Sequence, residues 1–411
     1  MGRTLAYILT VLMMVAGTAC DDDPVYAVPE KNSAKILSIK QQMPPHLLSN
    51  GSLVAITYDT DVQMYVINRI SKDGTVTSTI LPCHLNTGPN GYNHWLNIRS
   101  NDANDIIVDD YGEYSYKCVC KIDQSGTVVY YYYLDQYSNY KPLSGAPLPD
   151  GRYALLGDYI DNGYYYRTID IFDNDGLVTD GIKTKLFSND ETKNICSFAL
   201  GNNIIMIKND VSQPMARFCI VSSEDGSTLV PPQALMYEYY AQNSTYSTYE
   251  FYSFKDHLYI SEPNYNTRKT KVTRLNEQGK KDFSVILDMY HLYGVSEIDG
   301  KAIFAGINLP KDCERYVYSP SDVGIYMRPY LQDIKGCIVT MDASDGCNAE
   351  TIDISYEGGI LPYGVASDDN GGYYVYMTRI MPSEVNDVEW LFHDNIHIYH
   401  TDNLNKLQIE R

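Results

Sequence analysis

The sequence predicts an all-β chain folded as a β-propeller, most simply of seven four-stranded blades. Three observations carry that expectation. A strand, tight turn, strand motif recurs at a period of about fifty residues. A strongly apolar strand lies a short way upstream of each copy. No stretch longer than a turn or two has the 3.6-residue periodicity of an amphipathic helix.

The motif runs from an apolar residue, through polar ones, to a turn residue seven positions on. Its copies are Ile67–Gly74, Val119–Gly126, Ile169–Gly176, Cys219–Gly226 and Val272–Gly279, with a looser Val339–Gly346 and a degenerate Ile396–Asn403. A tight hairpin needs a residue at positive φ; glycine takes that conformation without penalty, and asparagine is the next most tolerant. Successive turn residues fall 52, 50, 50, 53, 67 and 57 positions apart, and the stretched interval contains a Tyr- and Pro-rich insertion, Lys311–Gln332.

The upstream strands are Leu53–Ile56, Asp105–Val108, Tyr153–Leu156, Asn203–Ile207, His257–Ile260, Ala302–Ala305 and Tyr373–Tyr376. They are apolar continuously rather than alternately, which means burial on both faces. Before each lies another candidate strand, such as Ala34–Ile39 or Ile195–Phe198. After each turn comes a fourth, such as Thr75–Ile80 or Thr127–Tyr132. Four strands per repeat, shielded on both faces by the next copy, is the logic of a propeller blade. An eighth blade stays open if Lys311–Gln332 hides a degenerate copy. Tandem β-sandwiches also give short strands and frequent turns, but the regular period argues against them.

The first residues read as an export signal. Arg3 supplies a positive charge, Leu5–Ala16 is a short apolar run, and Gly17, Thr18 and Ala19 are small. The run is too short for a spanning helix, and Asp21–Asp23 ends it abruptly. Gly17-Thr18-Ala19-Cys20 resembles the lipobox of bacterial lipoproteins, with Gly17 standing where that family usually has a large aliphatic residue. The acidic residues after the cysteine resemble the surface-export signal of Bacteroidetes lipoproteins. The strand and turn pattern from residue 34 onward is similar to the propellers common among those surface lipoproteins. The resemblance implies a signal peptide over 1–19, lipid on Cys20, a polar tether over 20–33, a propeller over 34–411, and an outer-membrane location facing outward. Several acyl chains anchor firmly where one does not.

Formal charge is −20, which opposes nucleic acid and anionic membrane surfaces. Tyrosines number 39 against 9 phenylalanines, a bias that suits strands and rings that pack while their hydroxyls stay wet. Export permits disulfides, but Cys118 and Cys120 fall two apart on one strand and point the same way, so they do not pair with each other. The remaining cysteines give no unique pairing, and no Cys-x-x-Cys metal spacing occurs.

No nucleophile elbow, phosphate loop or dinucleotide fingerprint is present, so no catalytic residue is assigned and no cofactor is expected. His393, His397 and His400 cluster in sequence, but strand alternation turns His397 and His400 to opposite faces. Asp173–Gly176 and Asp368–Gly371 lack the ligand pattern of a calcium loop and read as turns. No metal site is expected.

Two loops are the candidate binding elements. Cys83–Trp95 holds His84, Asn90, Tyr92, Asn93, His94 and Trp95, stacking rings beside amide groups, a combination that suits a sugar; the plain alternative is a connection between blades 1 and 2. Lys311–Gln332 holds Arg315, Tyr316, Tyr318, Tyr326, Arg328 and Tyr330, residue types favoured at protein interfaces. The leading functional expectation is a non-catalytic binding module for a glycan or a protein partner. A polysaccharide-acting glycosidase or lyase with its site in the central channel, and a structural subunit of an envelope complex, are the alternatives. An enzyme predicts a deep pocket with close Asp, Glu, His or Arg groups, and a glycan binder predicts exposed rings.

Overall fold

The computed structural model describes residues 34–409, except 38–44, 60–63, 82–96, 102–103, 111–117, 134–139, 162–163, 174–175, 185–194, 211–214, 237–249, 255, 265–266, 309–334, 355–358, 380–395 and 408. Its strands form seven four-stranded antiparallel sheets, arranged as a ring. The protein is a seven-bladed β-propeller. The inner strands of blades 1 to 7 are His46–Leu47, Asn97–Ser100, Tyr140–Pro147, Ile195–Leu200, Glu250–Ser253, His291–Ile298 and Ile360–Ser367.

The continuous apolar strands sit where their composition requires. Leu53, Val54, Ala55 and Ile56 are all fully buried. Leu53 and Ala55 pack towards blade 7, against Tyr376 and Ile398, while Val54 and Ile56 pack towards blade 2, against Ile106 and Val108. Alternate residues of one strand thus serve two blade interfaces. The same division repeats around the ring, with one apolar cluster at each of the seven interfaces.

The turn glycines have two reasons to be glycine. Gly74, Gly126, Gly226, Gly279 and Gly346 take φ between 68° and 85°. In addition, a Cβ on Gly279 would lie 2.7 Å from the Phe218 ring of blade 4, and one on Gly346 would lie 2.8 Å from the Phe283 ring of blade 5. These turns therefore seat directly on the preceding blade. Asx side chains close them: Asp123 Oδ1 accepts from the amides of Ser125 and Thr127, both at 2.9 Å.

Blade 7 departs from expectation. Ala34–Leu37 is not the first strand of blade 1. It is the outer strand of blade 7, antiparallel to Ile396–Thr401, so the two ends of the ring are closed by hydrogen bonds. This explains the degenerate seventh motif. Ala34–Leu37 already fills the position beside Ile396–Thr401, so no hairpin is needed there, and Asn403 sits at φ −156° capping a short 3-10 turn. The described strands make seven blades, without an eighth. The strands before and after the insertion, Lys301–Asn308 and Lys335–Asp342, pair with each other within blade 6.

Because every blade is the same meander, its first and third hairpins share one face of the ring. The connection between second and third strands, and the link to the next blade, lie on the other face. The first face is made of tight Asx-Gly turns. The segments containing Cys83–Trp95 and Lys311–Gln332 join strand ends on the opposite face. Cys118 and Cys120 are both buried on the blade 2 side of one interface. Together with Cys196, Cys219, Cys337 and Cys347 they stand as thiols among the described residues, whereas Cys83 and Cys313 lie outside them.

Candidate functional site

The inner strands approach the ring axis unequally. Blades 6 and 7 carry β-bulges between Leu292 and Gly294 and between Pro362 and Gly364. The glycine after each bulge allows close approach. A Cβ on Gly294 would meet the Tyr363 carbonyl oxygen at 2.0 Å, and one on Gly364 would meet Leu47 of blade 1 at 2.7 Å. These glycines let the inner strands of blades 6, 7 and 1 pack closely against one another. A third bulge, between Pro142 and Ser144 in blade 3, holds blade 4 differently. There the Ser144 hydroxyl accepts from the Ser197 amide at 2.9 Å.

At the tight-turn face the channel opens into a pocket of about 1140 Å³, lined by the inner strands and first hairpins of all seven blades. One wall is organised by Arg99 of blade 2. Its Nε lies 3.2 Å from Asp109 Oδ2, its Nη1 donates to the Ser197 carbonyl at 3.2 Å, and its guanidinium lies 5.4 Å from the centroid of the Phe198 ring. Arg99 therefore spans from blade 2 to blade 4 and bars the channel below the pocket. Asp109, fully buried, also accepts from the Tyr153 hydroxyl at 2.7 Å. A buried carboxylate is tolerable only when paired and hydrogen-bonded in this way. Nearby, His46 Nε2 lies 3.0 Å from Ser100 Oγ. Burial, and then the Arg99 charge, lower the pKa of His46 to about 4.

The facing wall is acidic. Glu250 Oε2 accepts from the Tyr252 hydroxyl at 2.9 Å, and Glu250 Oε1 lies 3.2 Å from His291 Nε2. Nearer the mouth, Glu297 Oε1 accepts from His257 Nε2 at 2.9 Å and from the Tyr259 hydroxyl at 2.5 Å, while His257 Nδ1 lies 2.6 Å from Asp256. Burial raises the Glu297 pKa, but the bonds from His257 and Tyr259 outweigh it and hold the carboxyl below its ordinary value. Burial, and then the Glu250 charge, push the Tyr252 phenol well above its ordinary value. Between the walls, the half-buried rings of Phe198 and Phe251 lie 4.7 Å apart, centroid to centroid.

Cys20, the set His84, Asn90, Tyr92, Asn93, His94 and Trp95, and the set Arg315, Tyr316, Tyr318, Tyr326, Arg328 and Tyr330 all fall outside the described residues. The strand ends that carry the two loops are on the face away from this pocket. His397 is buried and His400 is exposed, as alternation requires, whereas His393 is outside the described residues. Asp368 is a turn residue: its Oδ1 accepts from the Asn370 and Gly372 amides at 2.7 Å, and its Oδ2 lies 2.8 Å from His400 Nε2.

Sequence reasoning missed Arg99, Phe198, Glu250, Phe251 and Glu297. Two signals mark the inner strands of blades 1, 3, 6 and 7, and of these residues they reach Glu297 alone; neither stands on blades 2, 4 or 5. The triplets Tyr293-Gly294-Val295 and Tyr363-Gly364-Val365 repeat at the bulges and mark inner strands. The dipeptides Asn50-Gly51, Asp150-Gly151, Asp299-Gly300 and Asn370-Gly371 form a second turn series, whose glycines also have positive φ. Residues just upstream of that series face the channel.

No protein-family model matches the chain, and no curated protein matches it. Solved structures do resemble it. The polysaccharide lyase Uly1 is 8% identical, with 92% of this chain and 94% of that one covered and a TM-score of 0.47. The β-propeller domain of the Trilobed protease from Pyrococcus furiosus is 13% identical over 84% and 92%, at 0.40. The Pan2 WD40 domain of Neurospora crassa is 10% identical over 87% and 90%, at 0.42. At such identities the likeness concerns the fold alone.

Proposed function

We propose that the chain is an exported lipoprotein, held to the outer membrane by lipid on Cys20 and facing outward, whose propeller is a non-catalytic glycan-binding module. The observation that carries this reading is the pocket on the tight-turn face. It sets half-buried aromatic rings beside polar groups that neighbouring side chains already hold in fixed orientations. A sugar needs an apolar face to stack on and fixed acceptors and donors for its hydroxyls.

Proton chemistry is less well supported. A general acid or base acting at neutral pH needs a pKa near 7. The shifts in this pocket run the other way: His46 down to about 4, Glu297 below its ordinary value and Tyr252 well above its own.

The proposed tether fits such a role. Ala34 pairs with Tyr399, near the tight-turn end of blade 7. Fourteen extended residues at about 3.3–3.6 Å each reach far enough to hold the pocket clear of the bilayer.

One observation favours a second reading, a polysaccharide-acting enzyme. Glu250, Tyr252 and His291 bring a carboxylate, a phenol and an imidazole together within 3.2 Å contacts. One experiment separates the two readings. The full chain is incubated with a panel of surface and plant polysaccharides while binding and new chain ends are both measured. Saturable binding without new ends supports the binding module. Steady release of ends that Glu250→Gln abolishes overturns it in favour of the enzyme. For the anchor, Cys20→Ala is expected to abolish labelling by radioactive palmitate and release the protein from membranes; unchanged labelling would refute lipidation at Cys20.

A further inference from the structure

The charges and rings of the pocket narrow the class of sugar it takes, given that it binds a glycan at all. Four carboxylates border it, Glu250, Glu297, Asp299 and Asp369, against two cations, Arg99 and Lys72. Both cations are committed. Arg99 is tied to the buried Asp109, and Lys72 Nζ lies 3.0 Å from Asp369. A uronate or sulfated sugar would bring a further negative charge to a chain already at −20, without an uncommitted cation among the described lining residues to receive it.

Glu250 is the best-placed acceptor. Its side chain is 28% exposed, Oε2 is steadied by the Tyr252 hydroxyl, and Oε1 lies 3.2 Å from His291 Nε2. The Tyr252 hydroxyl is itself placed by the Leu292 carbonyl at 3.1 Å. An ionised carboxylate has about four acceptor positions. The Tyr252 hydroxyl takes one of them, which leaves acceptor capacity on the exposed part of the group. Phe251 follows directly in the chain, and its ring continues the shelf begun by Arg99 and Phe198. A ligand with two adjacent hydroxyls on one edge and a C–H face on the other matches this arrangement. We infer that the pocket selects a neutral pyranoside, with neighbouring hydroxyls donating to Glu250 and the sugar ring stacked on Phe251.

The test is titration calorimetry of the full chain with hexasaccharides cut from neutral glucans, mannans and galactans, and with uronate hexasaccharides of similar length. At least one neutral series is expected to bind and every uronate series to bind at least tenfold more weakly. Glu250→Gln is expected to weaken the neutral ligand tenfold or more, and Phe251→Leu, which keeps apolar bulk but removes the ring, about as much. Thermal unfolding checks that each variant is folded. If Glu250→Gln does not fold, Glu250→Asp, which keeps the charge but withdraws it by one methylene, is expected to show the same loss. Tighter binding of a uronate series, or unchanged affinity in folded Glu250 and Phe251 variants, overturns the inference and leaves glycan binding standing. Failure of every neutral and acidic glycan to bind overturns both.

Discussion

The two walls of the channel hold charge in opposite ways. On the blade 2–4 side a cation reaches across the ring and is consumed by the fold: Arg99 ties Asp109, Ser197 and Phe198 together beneath the pocket. On the blade 5–6 side carboxylates stay partly exposed, and the fold only orients them: Tyr252 and His291 hold Glu250, while His257 and Tyr259 hold Glu297. On the proposed function, the difference separates a structural wall from a recognising one. Substitutions on the first should cost stability, and those on the second should cost ligand.

The largest effect is expected at Arg99. Arg99→Met strands the buried Asp109, and removing one partner of a buried pair costs about 3–5 kcal/mol. Denaturant titration should show that loss, and the double variant with Asp109→Asn should be more stable than Arg99→Met alone. Equal or lower stability of the double variant would break the distinction between the walls. Next comes Gly294→Ala, whose new methyl group meets backbone rather than a flexible side chain; overpacking of this kind costs about 1–3 kcal/mol.

Acid should weaken the two walls in sequence. Unfolded His46 takes a proton near pH 6.5, but the folded group resists until about pH 4. The unfolded state therefore binds the extra proton, and stability falls as pH drops through that window. His46 is only partly buried, so the loss is discounted to about 1–2 kcal/mol. Glu297 and Asp256 are held below their ordinary values. Their contribution is intact at neutral pH and disappears only as pH falls through those lowered values. Melting temperatures across pH should show both phases, with His46→Gln removing the upper one and Glu297→Gln the lower. The smallest effect belongs to Tyr252→Phe. It removes one hydrogen bond, about 0.5–1.5 kcal/mol, and frees Glu250 to turn, so affinity should fall more visibly than stability.

The recognising wall was much harder to read from sequence than the ring that carries it. The ring is written in local signals. Strands such as Leu53–Ile56 are apolar at every position because both faces are covered, and Gly126 or Gly279 stands where φ is positive. Closure was not legible, because nothing local distinguishes Ala34–Leu37 as the last strand of blade 7 from a first strand of blade 1; only the register with Ile396–Thr401 decides it. The pocket was not legible either. Arg99, Phe198, Glu250 and Glu297 come from four blades and meet only after the ring forms, and the inner strands that carry the first three are four to six residues long. Long loops rich in Tyr, His and Asn drew the functional assignment; they lie outside the described residues, and the strand ends flanking them are on the opposite face.

The two faces supply the most direct test. Hydrogen–deuterium exchange of the full chain, with and without a bound neutral oligosaccharide, reports which face the ligand covers. Slowed exchange in Asn97–Ser100, Ile195–Leu200 and Glu250–Ser253, together with the tight turns beside them, is the expected result. Protection confined to 82–96 or 309–334, with those inner strands unchanged, would contradict a binding site at the tight-turn mouth of the channel.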